Sequence, residues 1–335
     1  LDVFRSVQDS LFELIAIYRK EGNLFDDFYQ TNKPMIHLSF RKNPFSYFLK
    51  LRSVIKHSNI QIIHVVQSMD VILASLSCVG LSTKVCQTIH GFDFNSSWFR
   101  KAIIWLSLKV TDVNVFVSHF QCEYYINSYR LNNRKKNLVV YNGISFNKLN
   151  THLKTSIIEE LHLQPDASLI LTVGNFNAVR DQLTLCKFAL ALQSKGFNFY
   201  WLFAGKRIEK EAWRYDKCVD FVKKNGLQNN VLFLGSRADV PDLLAQADFF
   251  VYASEHDTFG IAVVEAIAAG VPVLVNDWPV MKEITDNGIL ATVYKTRDIN
   301  DFIICFENTY LSDQKSFKEI AKLAIRNRFS IEQHL

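Results

Sequence analysis

Short apolar runs alternate with amphipathic stretches along this chain, and the pattern is clearest in its last third. Runs over 231–234, 249–253 and 271–276 predict strands, because runs of four to eight apolar residues are typical of a sheet covered on both faces. Helices predicted over 240–247 and 260–269 separate them, and Gly270 stands where a helix-ending glycine belongs. This order is typical of an open α/β sheet, whose ligands bind at the carboxyl ends of its strands.

The same alternation extends through the rest of the chain, which predicts a second parallel sheet in the first half. The strand over 60–66 is expected to be buried. The other predicted strands are 12–18, 34–38, 84–89, 112–117, 139–141, 169–173 and 199–204, and the other predicted helices are 45–57, 69–78, 97–108, one that opens at Ser118, and 182–194.

The polar turn after the strand over 249–253 carries the candidate chemistry. Gly260 at a helix start lets a ligand approach the backbone closely. The N–H groups of Gly260, Ile261 and Ala262 then face the ligand, and the helix dipole favours an anion there. Asp257 and Glu265 add carboxylates that accept hydrogen bonds from sugar hydroxyls. Together these residues favour a sugar nucleotide, although each alone also fits an ordinary loop or surface position.

This segment resembles the donor-binding half of family-4 glycosyltransferases. The family pattern is an acid, seven residues and Glu, passing through Phe-Gly; here it runs from Asp257 through Phe259-Gly260 to Glu265. The family usually has Glu in the first position, and Glu255 is a rival for the role of Asp257. The resemblance implies an α/β protein of the GT-B fold, with two doubly wound Rossmann-like domains facing a cleft.

The resemblance also implies a site for the donor diphosphate. Gly174-Asn175 and, five residues on, Arg180 match positions where the family usually has Gly-Arg and Lys. One cation is therefore lost at Asn175, whereas the guanidinium of Arg180 suits phosphate. Arg237 belongs to a loop that resembles the one beside the nucleotide base.

His90 follows a predicted strand and precedes a glycine, as does the family's histidine that faces the donor sugar. A histidine in this position is also often only a structural hydrogen-bonding residue. The resemblance implies transfer with retention, in which the leaving phosphate takes the proton of the acceptor. It assigns catalytic roles to His90, Asp257 and Arg180. The chain has no Asp-x-Asp motif, so no metal is expected, and Arg180 and the helix start at Gly260 would meet the diphosphate charge.

A chain of 335 residues is long enough for two cores. Residues 1–148 are expected to form the acceptor-side domain, without the first strand that opens the family's domain, so that the chain enters partway through a helix. A linker over 149–165 leads to a nucleotide-sugar-binding domain over 166–320. The remaining residues, 321–335, resemble the family's last helix, which packs back towards the N-terminal domain.

The charge is uneven: residues 1–150 hold 18 Lys+Arg and 10 Asp+Glu, a net +8, against −3 for the rest. The cations are scattered and no recognition motif is present, so nucleic acid is not expected as a partner. An anionic membrane surface or a phosphate-bearing acceptor is the better candidate, with a merely solvated surface as the alternative. Trp98, Phe99 and Trp105 in the helix over 97–108 fit a membrane interface, but the core is the favoured interpretation.

The six cysteines show no metal-binding spacing, which favours buried thiols in a reducing cytoplasm. No secretory signal or spanning segment is visible. The expected location is therefore cytoplasmic, with peripheral attachment at the inner face of the plasma membrane left open.

The predicted function is retaining transfer of a hexose from a nucleotide sugar to a saccharide or lipid-linked acceptor, in cell-surface polysaccharide or glycoconjugate synthesis. A UDP-sugar is favoured over a GDP-sugar, and the donor is a substrate, so no cofactor is expected. Two alternatives remain open. One is a non-catalytic protein that binds a sugar nucleotide or a partner. The other is a sugar-nucleotide epimerase of the same fold, which would need further acids in the cleft.

Overall fold

The computed structural model describes residues 12–22, 25–39, 44–131, 136–149, 156–312 and 315–334. The chain divides into two compact units, Leu1–Tyr141 with His334–Leu335, and Asn142–Gln333. Parallel strands joined by helices build both units, which confirms the predicted α/β class. None of the helices in these ranges is both long and apolar enough to cross a bilayer. The predicted helical start of the chain, at residues 1–11, lies outside the described residues.

The first unit contains six strands and five helices among its described residues. The strands are β1 (Ala16–Tyr18), β2 (Met35–His37), β3 (Ile62–Val65), β4 (Lys84–Ile89), β5 (Val113–Phe116) and β6 (Asn137–Val139). The helices are α1 (Phe25–Tyr29), α2 (Pro44–His57), α3 (Ser68–Cys78), α4 (Trp98–Val110) and α5 (His119–Tyr129).

These strands form two sheets, β1-β2 and β3-β4-β5-β6, rather than the single sheet that the sequence predicted. The first predicted strand, 12–18, shrinks to its last three residues. The prediction that 60–66 is a buried strand was wrong: β3 is an edge strand, and Ile62 is 62% exposed. A strand at an edge has a neighbour on one side only, so the apolar run alone did not imply burial.

A core of aliphatic and aromatic side chains lies between α2, α3 and the adjoining strands, where Leu51, Ile55 and Ala74 are buried. Arg52 of α2 donates hydrogen bonds to the carbonyl oxygens of Ser77 and Val79, at 2.7 and 2.8 Å. These bonds satisfy carbonyl groups at the C-terminus of α3 that have no partner within the helix.

Helix α4 departs from its predicted environment. It buries Ser107 and Leu108, but Trp98 is 81% exposed, Phe99 60% and Trp105 47%. The interpretation that these aromatic residues belong to the core was therefore wrong. The periodicity correctly indicated a helix with one buried face, but it did not tell which aromatic residues lie on that face.

The second unit contains six further strands and nine helices among its described residues. The strands are β7 (Ser168–Val173), β8 (Phe199–Ala204), β9 (Val231–Gly235), β10 (Phe249–Tyr252), β11 (Val273–Asn276) and β12 (Thr292–Tyr294). The helices are α6 (Ile157–Glu160), α7 (Gln182–Ser194), α8 (Ala212–Lys224), α9 (Val240–Gln246), α10 (Ile261–Ala268), α11 (Pro279–Ile284), α12 (Ile299–Leu311), α13 (Lys315–Phe329) and α14 (Ile331–His334).

One parallel sheet of order β12-β11-β10-β7-β8-β9 runs through this unit. All four residues of β10 and of β11 are buried, as their almost entirely apolar sequence predicted; the exception is the buried Asn276 at the end of β11. Aromatic rings fill the space beside the sheet; Phe188 and Phe302, for example, stack with their centroids 4.1 Å apart. Buried Trp201 donates from its indole nitrogen to Thr172, whose hydroxyl donates to the carbonyl oxygen of Val251.

The strand order reverses between β7 and β10, which pair directly although they are distant in sequence. Connections from β7 lead to one side of the sheet and those from β10 to the other. Ligands of open α/β sheets bind at such a switch point, beyond the carboxyl ends of the strands. Helix α13 packs against α10 within this unit. Two expectations stay predictions: the domain boundaries, and the packing of the last helix back towards the N-terminal domain.

Candidate functional site

The loops that follow β7 and β10 are joined to each other at the switch point. Arg180 and Ser254 form an antiparallel bridge. The N–H of Glu255 and the hydroxyl of Ser254 both donate to the carbonyl oxygen of Val179, at 3.0 and 3.1 Å. Because backbone atoms make these contacts, the two loops hold their side chains in a fixed relation.

Gly174 begins the first loop where the backbone of the next strand end comes very close. A Cβ on Gly205 would lie 2.0 Å from the carbonyl oxygen of Gly174, so only glycine fits there. Asn175 is exposed, and its side-chain oxygen accepts a hydrogen bond from the N–H of Lys206 at 2.9 Å. The residue that replaces the family's cation therefore braces two loops.

Arg180 and Asp257, predicted separately from the two loops, form an ion pair. Nη1 of Arg180 donates to Oδ2 of Asp257 at 2.7 Å, and the two side chains are only 19% and 12% exposed. The guanidinium lies over the ring of Tyr252, 4.7 Å from its centroid, and the Tyr252 hydroxyl donates to the same Oδ2. Burial first, and then the Asp257 carboxylate, raises the pKa of Tyr252 well above its usual value, so it stays a donor.

The pair leaves one polar atom without a partner. Nε of Arg180 is buried and, among the described residues, has no hydrogen-bond acceptor. It packs against Gly174, where an added Cβ would lie 2.8 Å away. Leaving a buried donor unsatisfied costs about 1–3 kcal/mol, so a ligand oxygen that let the guanidinium reorient would recover this energy.

Glu255, the rival of Asp257, has a different partner. Its carboxylate forms an ion pair with Arg297, which also donates from Nε to Asp181 at 2.9 Å. Asp181 in turn caps α7 by accepting from the N–H of Thr184. Sequence reasoning missed Arg297, because the loop after β12 carries no motif that marks it. The structure thus separates the two acids: Asp257 holds Arg180, whereas Glu255 holds Arg297.

Helix α10 begins where the sequence predicted a helix start. Gly260 is left-handed, with φ of 84°, and an added Cβ would meet the Cε of Met281 at 2.8 Å. Ile261 and Ala262 form the first turn, where N–H groups have no acceptor within a helix. Glu265 lies in the next turn and is half-buried.

The side chain of Phe259 points away from the start of α10 and into the core. It is buried and packs edge to face against Phe329, with centroids 5.3 Å apart. Only the backbone of Phe259 is therefore available to contact a donor.

Sequence reasoning missed two further side chains in this loop region. The indole nitrogen of Trp278 donates to the carbonyl oxygen of Asp257 at 2.8 Å, and its ring meets that of His256 edge on. Burial, and secondarily the guanidinium of Arg214, lowers the pKa of His256. In the described ranges no group of three or more His, Cys, Asp or Glu side chains is arranged to hold a metal ion.

Arg237 is engaged by two carboxylates. Its guanidinium bonds Glu160 at 2.6 and 2.9 Å and Asp239 at 2.8 and 2.6 Å. The hydrogen bonds that Arg237 donates to Glu160, and next those to Asp239, raise the pKa of Arg237 above its usual value. The side chain ties the turn after β9 to α6, and its predicted place beside a nucleotide base stays a prediction.

In the first unit, His90 is exposed and directly follows β4. The carbonyl oxygen of the next residue, Gly91, accepts hydrogen bonds from Gln121 and from the Tyr125 hydroxyl, both at 3.0 Å. The loop that carries His90 is thus fastened to α5.

A buried carboxylate strengthens this attachment. Asp93 is 4% exposed and accepts hydrogen bonds from the hydroxyls of Tyr124, at 2.7 Å, and Tyr129. Burial, followed by the hydrogen bond to Asp93, raises the pKa of Tyr124 to about 12, and the same causes raise that of Tyr129 further. No sequence motif marks this cluster.

Two family models cover nearly all of the described chain. The model of the glycosyl transferases group 1 matches residues 154–324, half of the sequence, and that of Glycosyltransferase Family 4 matches residues 15–148. The chain belongs to the glycosyl transferases group 1 family. The predicted family resemblance is confirmed.

Curated relatives of this chain are distant. An O-antigen biosynthesis glycosyltransferase, WclY of Escherichia coli, is 28% identical over 62% of the chain and 58% of its own length. The N-acetyl-alpha-D-glucosaminyl L-malate synthase of Bacillus anthracis is 27% identical over 75% of the chain and 66% of its own length. The chain thus spans less than two thirds of the length of these relatives.

Solved structures match almost the whole chain. A glycosyltransferase from Rickettsia africae superposes with a TM-score of 0.82 at 20% identity, covering 96% of this chain and 86% of its own. HepE from Anabaena, solved with UDP and glucose, gives 0.79 at 16% identity, covering 96% and 89%. These matches confirm the predicted GT-B fold class.

Proposed function

We propose that this protein is a retaining glycosyltransferase that moves a hexose from a UDP-sugar to a saccharide or lipid-linked acceptor, without a metal ion. The observation that carries the proposal is the meeting of Arg180, Asp257 and the start of α10 at the switch point of a six-stranded parallel sheet. A cation, a carboxylate and free backbone N–H groups in one place suit a ligand that combines diphosphate and sugar.

The distant relatives support the biological setting that we propose. One is named for O-antigen biosynthesis and another for lipopolysaccharide core biosynthesis, both cell-surface polysaccharides. The structural neighbour HepE was solved with UDP-glucose, which favours uridine over guanosine in the proposed donor. We therefore propose synthesis of a cell-surface polysaccharide or glycoconjugate as the role of this chain.

Donor binding in this proposal exchanges one partner of Arg180 for another. Without donor, Asp257 neutralises the guanidinium. The diphosphate, which carries more charge than a carboxylate, takes over Arg180 and satisfies its Nε as the side chain reorients. Asp257, still held by Tyr252, then accepts hydrogen bonds from hydroxyls of the transferred sugar.

Charge develops on the diphosphate as its bond to the sugar breaks. Arg180 and the N–H groups of Ile261 and Ala262 are proposed to stabilise that charge, because preorganised donors need no rearrangement at the moment of reaction. Glu265 is proposed to hold the nucleotide ribose. His90 keeps the role that the family resemblance implies, contact with the donor sugar.

The test combines binding and turnover. Titration calorimetry with UDP and GDP is expected to show binding of UDP that falls about 10- to 150-fold in Arg180→Gln, the loss of charge-assisted hydrogen bonds worth about 1.5–3 kcal/mol. Arg297→Gln is the matched control, because this arginine pairs with Glu255 and Asp181 instead. Its UDP affinity is expected to match that of the wild type.

Turnover separates the transferase from a binding protein of the same fold. A panel of nucleotide sugars, with and without saccharide and lipid-linked acceptors, is assayed for release of nucleoside diphosphate. UDP binding without turnover of any donor would favour the non-catalytic alternative. Equal UDP affinity in Arg180→Gln and wild type would remove the diphosphate role of Arg180.

A further inference from the structure

Helix α4 of the first unit has an apolar face that no part of the described chain covers. Trp98 and Trp105 are seven residues apart, as are Phe99 and Leu106, so the four form two neighbouring rows along one side of the helix. All four are exposed, and so is Val110 at the end of the second row. The outward side of a helix on a sheet is normally polar, which makes this face an exception.

The neighbouring helix α3 exposes apolar residues as well. α3 packs against α4, and its C-terminal end exposes Leu76 and Val79, 52% and 66% accessible. Exposed apolar residues scattered singly need no explanation, whereas a contiguous patch indicates an interaction site. We call the residues Trp98, Phe99, Trp105, Leu106, Val110, Leu76 and Val79 the α4 patch.

The charges around the patch indicate what covers it. Arg100, Lys101 and Lys109 are exposed on the same helix, and α4 contains no acidic residue. A two-fold contact between copies would bring these cations towards their own copies, which costs electrostatic energy. An anionic lipid surface satisfies both features, because tryptophan and phenylalanine enter the headgroup boundary while Arg and Lys meet lipid phosphates.

We propose that the α4 patch docks the protein on an anionic lipid bilayer, with α4 lying in the interface plane. Trp98, Phe99 and Trp105 insert below the headgroups, and Arg100, Lys101 and Lys109 remain at their level. The helix has 13 residues and is therefore about 20 Å long, enough to lie on the surface but too short to span the hydrocarbon core. The net +8 of residues 1–150 adds a longer-range attraction.

Vesicle co-sedimentation of the full chain tests the proposal. Binding is expected to vesicles of phosphatidylcholine with about one third phosphatidylglycerol, and to be much weaker to phosphatidylcholine alone. Added salt is expected to weaken it. Each cation removed from the trio is expected to lower the partition coefficient about 5-fold, and Arg100→Gln/Lys101→Gln/Lys109→Gln together about 100-fold.

The aromatic residues have a matched control in the second unit. Trp213 is 50% exposed, close to Trp105, and two cations, Arg214 and Lys217, lie over its ring. Trp98→Ser/Trp105→Ser is expected to lower partitioning about 10-fold or more, whereas Trp213→Ser leaves it unchanged. Because the substituted side chains are exposed, the unfolding temperature and UDP affinity should match those of the wild type.

The depth to which the tryptophan side chains insert is measured separately with brominated lipids. These lipids are expected to quench the fluorescence of Trp98 and Trp105 but not that of buried Trp201. Vesicle binding that survives both multiple substitutions would overturn the proposal. So would analytical ultracentrifugation that shows a dimer in the wild type and a monomer in Trp98→Ser/Trp105→Ser, because the patch would then join two copies of the chain.

Discussion

The variant Asp257→Asn separates the contribution of this carboxylate to stability from its contribution to turnover. Its Oδ2 accepts hydrogen bonds from Arg180 at 2.7 Å and from the Tyr252 hydroxyl. Charge-assisted hydrogen bonds contribute about 1.5–3 kcal/mol and neutral ones about 0.5–1.5 kcal/mol. Asparagine can keep both partners, so the loss is about 1 kcal/mol for each bond and about 2 kcal/mol for the free energy of unfolding. The unfolding temperature of a unit of this size should fall by about 4–8 °C.

The effect on ligand binding is expected to have the opposite sign. Asparagine no longer neutralises Arg180, so the diphosphate of UDP meets an uncompensated guanidinium. UDP affinity should therefore stay equal or rise, while kcat falls, because an interaction with the transferred sugar is lost and not one with the nucleotide. Scanning calorimetry, UDP titration and steady-state kinetics of the same preparation measure the three quantities.

Glu255→Gln is the matched control for this prediction. It removes the same charge from the same loop but breaks the pair with Arg297 and leaves Arg180–Asp257 intact. Its UDP affinity and kcat should equal those of the wild type. The reasoning is refuted if Asp257→Asn lowers UDP affinity at an unchanged unfolding temperature, because the carboxylate would then bind the nucleotide and not the guanidinium.

Three other outcomes can be measured on single variants. Gly260→Ala should destabilise the second unit by about 1–2 kcal/mol in chemical denaturation, since φ is 84° and the Met281 methyl would have to shift to admit the new Cβ; equal stability would contradict this geometry. Glu265→Ala should lower UDP affinity about 5- to 150-fold by calorimetry, and an unchanged affinity in a folded variant would return Glu265 to an ordinary helix position. Absorbance at 295 nm should show tyrosines that ionise only near pH 12 and above, and Tyr129→Phe should remove one of them. Because the folded pKa lies above the unfolded value of about 10, the stabilisation is complete below pH 10 and is lost as the pH rises through 12.

Much of the second unit could be predicted from the sequence because its strands are covered on both faces. β10 and β11 consist almost entirely of apolar residues, and such runs have few alternatives to a buried strand. Gly260 could be assigned to a helix start for a similar reason, since a glycine between a polar turn and an apolar helix has a backbone role.

The partners of the site residues could not be predicted in this way. Arg180 and Asp257 are 77 positions apart and meet only because β7 and β10 are neighbours in the sheet. Arg297 reaches Glu255 from a third loop, whose position depends on the full strand order. Local patterns assign residues to loops, whereas the pairing of side chains between loops depends on tertiary packing.

The sequence pattern did not predict the exposed aromatic residues of α4, for another reason. Trp98, Phe99 and Trp105 have large, mainly apolar side chains, and such residues in a helix between two strands are usually covered. The hydrophobic pattern cannot distinguish a helix face that packs on the sheet from a helix face that stays exposed on the protein surface.

The division of the first unit's strands into two sheets has a consequence for how the native protein opens. In the second unit six strands share one hydrogen-bonded ladder, so their amides should exchange with solvent only in a large cooperative opening. Among the described residues of the first unit, β1-β2 is a separate pair of three-residue strands, and no ladder hydrogen bond joins it to β3-β4-β5-β6. Amide exchange and limited proteolysis should therefore begin at β1-β2, at a free-energy cost well below that of global unfolding.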